Sequence, residues 1–118
     1  MKIWIVILCL FLHESKAAPV FVKFEVWGRT DQPDVKGALY VGWINGFTLA
    51  GTAAFGTPKM MALSNCLEDL SWEQIIAVID KYYKENPEKW HEPLSIQLLQ
   101  ALTTKGAPCA GKSPYGIK

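Results

Sequence analysis

Apolar and polar positions alternate with a helical period between Ser71 and Asn86. Six apolar residues fall at the 3.6-residue spacing of one helix face: Trp72, Ile75, Ile76, Ile79, Tyr82 and Tyr83. Ser71 and Gln74 have the spacing of a capping box, in which each side chain bonds the backbone N–H of the other. Pro87 cannot continue a helix. The pattern predicts an amphipathic helix that begins at Ser71 and ends near Asn86.

A second helix is predicted from about Glu92 to Thr104, because leucines recur there on one face. Those leucines are Leu94, Leu98, Leu99 and Leu102. Pro93 suits its first turn, and Gly106 ends it. The stretch KENPEKWHEPL lies between the two helices, with Pro87 at one end and Pro93 at the other. We interpret this stretch as a corner between them.

Residues 37–58 carry no charge, which raises the question of a membrane-spanning helix. The segment is only moderately apolar and contains five glycines, so we favour a buried helix from about Asp34 to Ala54. Small residues recur every four positions, which predicts a smooth face for close helix packing: Gly42, Gly46, Ala50 and Ala54. Beside that face we expect a bulky stripe of Leu39, Trp43 and Phe47.

Shorter elements flank this helix. Thr57-Pro58 is expected to end it, and residues 59–63 are expected to form one further helical turn. Residues 19–29 are rich in β-branched and aromatic side chains, which favours an extended segment or short strand. The sequence therefore predicts an all-α fold, a small single-domain helical bundle with a short extended N-terminal segment.

The first residues have the pattern of an export signal. Met1 and Lys2 precede an apolar run from Ile3 to Leu12, and Ser15 and Ala17 suit a cleavage site. The run is too short to span a bilayer. We predict a signal peptide at 1–17, a helical domain at 18–110, a mobile tail at 111–118 and a periplasmic location. Cleavage after Ala18 is the alternative.

Signal removal changes the cysteine count and the charge. Cys9 leaves, so Cys66 and Cys109 remain as a pair, and in an exported protein a disulfide is the natural interpretation. A metal-binding pair is the alternative. Lys2, Glu14 and Lys16 also leave, so acidic and basic residues balance in the mature chain. This balance does not favour a nucleic-acid partner, which normally meets a concentrated positive face.

The corner also contains the one group with candidate chemistry, which is His91 with Glu88 and Glu92. One imidazole and two carboxylates could bind a metal or act as acid and base, but all three must then point inward. We favour a structural corner, and we assign no catalytic residue, metal or cofactor and predict that the protein is not an enzyme. Trp27 and Trp90 lie near predicted loops, and with His91 they are our candidates for contact with a partner.

The order of these features resembles the Rap/Tai type of exported immunity proteins of type VI secretion. The likeness covers roughly residues 36–110 and rests on an ordered set of positions: Tyr40, Gly42, Gly46, Cys66, Gln74, Val78, Tyr82, Pro87, His91, Ala101, Leu102, Pro108 and Cys109. Members often carry a second cysteine pair, one cysteine of which precedes the tyrosine. This chain has Gly37 and Ala38 there.

The resemblance implies a small helical periplasmic protein that binds a peptidoglycan-cleaving amidase effector and blocks its site. We expect the mature chain to bind a protein and not nucleic acid, and to have no membrane span. Homodimer formation is an alternative left undecided by the sequence. A small periplasmic stress or holdase chaperone is the alternative function. A hydrolase or metalloprotein that uses His91 is a third.

Overall fold

The computed structural model describes residues 22–115, so the predicted signal peptide and the last three residues lie outside it. The described residues form five α-helices and one short 3₁₀ helix. These elements are α1 Glu25–Gly28, α2 Pro33–Phe55, α3 Thr57–Glu68, α4 Trp72–Glu85, the 3₁₀ helix Pro87–Lys89 and α5 Leu94–Thr103. Among these residues the β-type pairing is limited to one isolated bridge, between Lys23 and Pro93. The all-α prediction is confirmed.

The predicted helix after Ser71 is confirmed as α4, with its capping box. The Ser71 hydroxyl accepts a hydrogen bond from the Gln74 backbone N–H at 3.2 Å, and the Gln74 side chain accepts one from the Ser71 N–H at 2.8 Å. These bonds satisfy two of the donors that every helix start leaves unpaired. The helix stops at Asn86, whose φ of −129° is not helical. α5 is confirmed too, with Pro93 just before its first residue.

The boundary between α2 and α3 differs from the prediction. α2 ends at Phe55 and is followed by Gly56, whose φ of 87° suits glycine and strains other residues. Pro58 lies in the first turn of α3, where a missing N–H costs nothing, so it starts a helix instead of ending one. α3 is consequently 12 residues long, where a single turn was expected.

The smooth face predicted on α2 does not pack against another helix, so that expectation is wrong. Gly42 and Gly46 are exposed, and a Cβ added at either position meets nothing within 4 Å. Close contacts occur instead at Gly37, against the Trp72 ring, and at Gly51, against the Met60 sulfur. The four-residue small pattern therefore lies on the outer side of the helix. In the described part of the chain, no helix is long and apolar enough to cross a membrane.

The extended segment predicted at 19–29 is wrong from Glu25 onward, where α1 begins. The backbone hydrogen bonds that a strand would give to a sheet go to the α4–α5 corner. Phe24 N donates to Glu92 O at 2.8 Å, and Glu25 N donates to Trp90 O at 2.9 Å. Phe24 and Trp27 are then fully buried. The aromatic residues that suggested a strand are core residues of a short helix.

The predicted disulfide is confirmed and joins Cys66 in α3 to Cys109, with the Cα atoms 5.9 Å apart. Residues 111–115 of the predicted mobile tail at 111–118 follow the bridge, and residues 116–118 lie outside the described part of the chain. Pro114 is buried, and the Tyr115 ring lies edge-on against Phe55 at 4.7 Å between centroids. The segment after Cys109 therefore packs on apolar side chains of α2 through Tyr115.

One hydrophobic core connects all five helices. α2 packs mainly on α3, and α4 packs mainly on α5. The fully buried large side chains of the core are Phe24, Trp27, Leu63, Ile79, Leu98 and Leu102. The domain is therefore a helical bundle. Its N-terminal segment packs on the α4–α5 corner, and the disulfide joins α3 to the segment after α5.

Candidate functional site

The corner between α4 and α5 is held by Trp90. Its ring stacks on Tyr83 with centroids 4.6 Å apart, and its indole N–H donates to the Tyr83 carbonyl oxygen at 2.8 Å. The ring is 36% exposed, so one side remains open to solvent. Trp90 is thus an anchor of the corner that still offers some surface to a partner.

The carboxylate of Glu92 turns away from a shared site with His91. It accepts a hydrogen bond from Gln97 Nε2 at 2.5 Å and lies 3.7 Å from Lys89 Nζ. His91 itself is exposed. Within residues 22–115, no group of three or more His, Cys, Asp and Glu side chains is placed to hold a metal ion. In this structure the Glu92 carboxylate is thus engaged by Gln97 and Lys89.

Replacing His91 with alanine is expected to change the free energy of unfolding by less than about 0.5 kcal/mol, since an exposed side chain without a special role contributes little. Urea unfolding of His91→Ala beside the parent protein measures this. Calorimetric titration with Zn²⁺ should show no binding that depends on His91. Zinc binding that is lost in the variant would restore the metal hypothesis.

Trp27 is not available to a partner, so its assignment as a contact residue is corrected. The side chain is fully buried and its indole N–H donates to Asp80 Oδ1 at 2.8 Å. Lys36 Nζ lies 2.7 Å from the same oxygen and 5.6 Å from the Trp27 ring centroid. The carboxylate therefore satisfies two donors that the fold draws together.

The other residues of the resemblance do not meet at one place. Tyr40 is buried, with its ring edge-on to Trp72 at 5.4 Å. Gly42 and Gly46 lie on the outer side of α2, whereas Pro87 and His91 lie in the corner. These positions are spread over the domain and define no single site.

The described residues include a cavity that the sequence did not predict. It lies between α2, α5 and the segment after Cys109, and its volume is about 430 Å³. We call it the α2–α5 groove. Its walls are formed mainly by Phe47, Ile96, Leu99 and Tyr115, and its polar side chains include Tyr82 and Gln100. Of the described residues, all those that line the groove are uncharged.

A hydrogen-bond chain fixes the polar edge of the groove. The Tyr82 hydroxyl lies 2.9 Å from Gln97 Oε1 and 3.0 Å from Gln100 Oε1, but it has one hydrogen to donate. The Gln97 amide nitrogen donates a hydrogen bond to the Glu92 carboxylate, which fixes the Gln97 oxygen towards Tyr82, so Tyr82 donates to Gln97. Gln100 then turns its amide nitrogen to Tyr82, because side-chain amide O and N are assigned from their partners. Its carbonyl oxygen is left free to accept.

Burial raises the pKa of the Tyr82 hydroxyl, and the nearby charges of Glu92 and Glu88 raise it further. The folded protein thus keeps this proton at a pH where the unfolded chain, with an ordinary tyrosine pKa near 10, has lost it. The stability that this provides is fully present below about pH 10 and is lost as the pH rises through the folded-state pKa.

The parent protein is therefore expected to lose stability above pH 10 more steeply than Tyr82→Phe does. Urea unfolding at pH 7 and at pH 10 to 11.5 measures both slopes. At pH 7 the variant differs only by its missing hydrogen bonds, a cost of about 1 kcal/mol. Equal alkaline slopes for the two proteins would show that Tyr82 does not carry this dependence.

A second apolar surface lies on the outer side of α2. We define this outer α2 face by residues at helical spacing that are all exposed: Val35, Ala38, Gly42, Gly46, Leu49 and Ala53. Leu49 is 79% exposed. A helix that is apolar on every side is usually covered on every side. This face is left open by the described part of the chain.

No protein-family model, curated protein or solved structure matches this chain.

Proposed function

We propose that this chain is an exported protein that acts by binding another protein. The observation that carries the proposal is the outer α2 face, where an uncharged helix side with Leu49 largely exposed runs along the domain. Exposed apolar patches of this kind mark interaction surfaces on small soluble domains. The disulfide between Cys66 and Cys109 is typical of an oxidising compartment outside the cytoplasm.

The proposed partner is a peptidoglycan amidase that the protein neutralises. This step rests on the resemblance to the Rap/Tai type of immunity proteins. It agrees with the disulfide, because an amidase that cleaves peptidoglycan acts in the periplasm, where its inhibitor must also be stable. The proposal assigns no catalytic role to this chain.

The outer α2 face has the shape that such contact requires. The 23 residues of α2 span about 35 Å, enough for one edge of a standard interface. Gly42 and Gly46 let a partner approach the helix backbone closely, while Leu49 supplies a large apolar side chain. Trp90 and His91 remain candidate contacts, since both reach solvent at the corner.

Co-expression with any cell-wall hydrolase that is found to be encoded beside this gene tests the proposal. We expect one such hydrolase to co-purify with the mature protein and its toxicity in the periplasm to be relieved. Leu49→Asp should weaken both effects, while Met61→Asp, which puts the same charge on an exposed apolar position of α3, should not. Failure of every neighbouring hydrolase to bind or to be neutralised would refute the proposed partner.

Two other functions of the outer α2 face, homodimer formation and holdase activity, predict different experimental results. A homodimer through α2 would appear as twice the monomer mass in light scattering, and Leu49→Asp would abolish it. A holdase would suppress aggregation of unrelated unfolded proteins, most strongly at acid pH, without binding a folded hydrolase. Either outcome, without hydrolase binding, replaces the amidase as the proposed partner.

A further inference from the structure

We propose that the α2–α5 groove is a binding site for a small neutral molecule that is mostly apolar and carries one hydroxyl or amide hydrogen. This site is separate from the outer α2 face and does not depend on the proposed amidase partner. The size of the groove, the absence of charge among its described lining residues and the Gln100 amide, reoriented as argued above, each restrict the ligand.

The groove has the size and lining of a small-molecule site. Its volume of about 430 Å³ lies within the usual range of ligand pockets, which are lined mainly by apolar side chains with a few polar groups. Leu99 is buried, whereas Ile96 is 47% and Tyr115 is 54% exposed. A buried wall and exposed neighbours leave the groove accessible from solvent.

The charge of the lining selects a neutral occupant. An ionic group that enters an apolar groove loses its hydration, and it needs an opposite charge in return. Residues 22–115 offer none, because each of them that lines the groove is uncharged. A neutral molecule loses far less hydration free energy on entering the groove, and it gains apolar contact with Phe47, Leu99 and Tyr115.

Gln100 supplies the group that orients the ligand. Its amide nitrogen is turned to the Tyr82 hydroxyl, for the reason given above, so its carbonyl oxygen is free. A donor on the ligand, such as a hydroxyl hydrogen, satisfies that oxygen. A purely apolar ligand would leave it without a partner when the groove is dry.

Three naphthalene compounds test the proposal because they share one ring system. 2-Naphthol is neutral with a hydroxyl donor, naphthalene lacks the donor, and naphthalene-2-sulfonate is an anion. Titration of ¹⁵N-labelled mature protein, followed by amide chemical shifts, should show saturable 1:1 binding of 2-naphthol. Naphthalene should bind about fivefold more weakly for want of one hydrogen bond. The sulfonate should not saturate.

Matched variants place the binding in the groove. Ile96→Asp puts a charge in the groove wall and should weaken 2-naphthol at least tenfold, while Leu49→Asp on the outer α2 face should not change its affinity. Gln100→Met keeps the length of the side chain and should make 2-naphthol and naphthalene bind equally. Unchanged amide spectra away from each substitution verify the fold.

The proposal is overturned if 2-naphthol shows no saturable binding, or if Leu49→Asp weakens it as much as Ile96→Asp does. It is overturned as well if the sulfonate binds as tightly as 2-naphthol. If Ile96→Asp unfolds the protein, the Gln100→Met variant alone tests whether the ligand binds in the groove. A preference for 2-naphthol over naphthalene that persists in Gln100→Met then refutes the proposed site.

Discussion

Replacing Cys66 and Cys109 together with alanine is expected to lower the free energy of unfolding by about 4 kcal/mol. The bridge closes a loop with a sequence separation of 43, which contains α4, the corner and α5. A cross-link over so long a loop removes much of the conformational freedom of the unfolded chain. Cys109 is also buried in the core, so alanine loses some packing there.

Urea unfolding of the oxidised protein and of the double variant measures this difference. Adding a reductant supplies the control, because it should destabilise the parent protein to a similar extent and leave the double variant unchanged. For a domain of this size the melting temperature should fall by roughly 15 to 30 °C. A loss below about 1 kcal/mol would mean that the disulfide adds little to the stability of the helical bundle.

Trp27→Ala is expected to cost about 3 to 5 kcal/mol, as is usual when a large buried aromatic side chain is truncated. Trp27 is fully buried, so its removal leaves a cavity between α1 and the helices it packs on. It also removes the partner that donates to Asp80 at 2.8 Å. The pairing of Asp80 with Lys36 remains, which limits the electrostatic part of the loss.

Trp90→Ala is the matched control, because the same residue type is removed from a partly exposed position. We expect it to cost clearly less than Trp27→Ala. Trp27→Phe separates the ring from its N–H and should fall between the parent protein and Trp27→Ala. Equal losses for Trp27→Ala and Trp90→Ala in urea unfolding would contradict the placement of Trp27 in the core.

The sequence predicted α4 and α5 well because the signals for both helices are local. Ser71 and Gln74 lie within one turn of each other, and their reciprocal hydrogen bonds depend on nothing outside that turn. Pro87 and Pro93 limit backbone geometry wherever they occur. The disulfide was predictable for another reason, since the predicted removal of a signal peptide would leave only Cys66 and Cys109 to pair.

The elements that were missed depend on contacts between distant parts of the chain. Trp27 is buried because α1 docks on the corner through backbone bonds such as Glu25 N to Trp90 O. Tyr115 is placed by Phe55, sixty positions earlier in the chain. The α2–α5 groove exists only once that segment is in place, so no local pattern predicts it.

The outer face of α2 was misjudged because the helix has little apolar asymmetry. Small residues such as Gly42 and Gly46 allow close packing, but they do not require it. The glycines that do pack, Gly37 and Gly51, were singled out by no periodicity. Which face a uniformly apolar helix buries is decided by its neighbours.

Inhibition of a purified amidase tests the proposed function most directly. The mature oxidised protein would be titrated into the neighbouring hydrolase that co-purifies with it, with peptidoglycan as substrate. We predict that amide-bond cleavage falls to the background at a 1:1 ratio, and that Leu49→Asp shifts the titration to higher protein concentration. Full hydrolase activity in a tenfold excess of the parent protein would contradict the proposal that this chain neutralises its partner by binding.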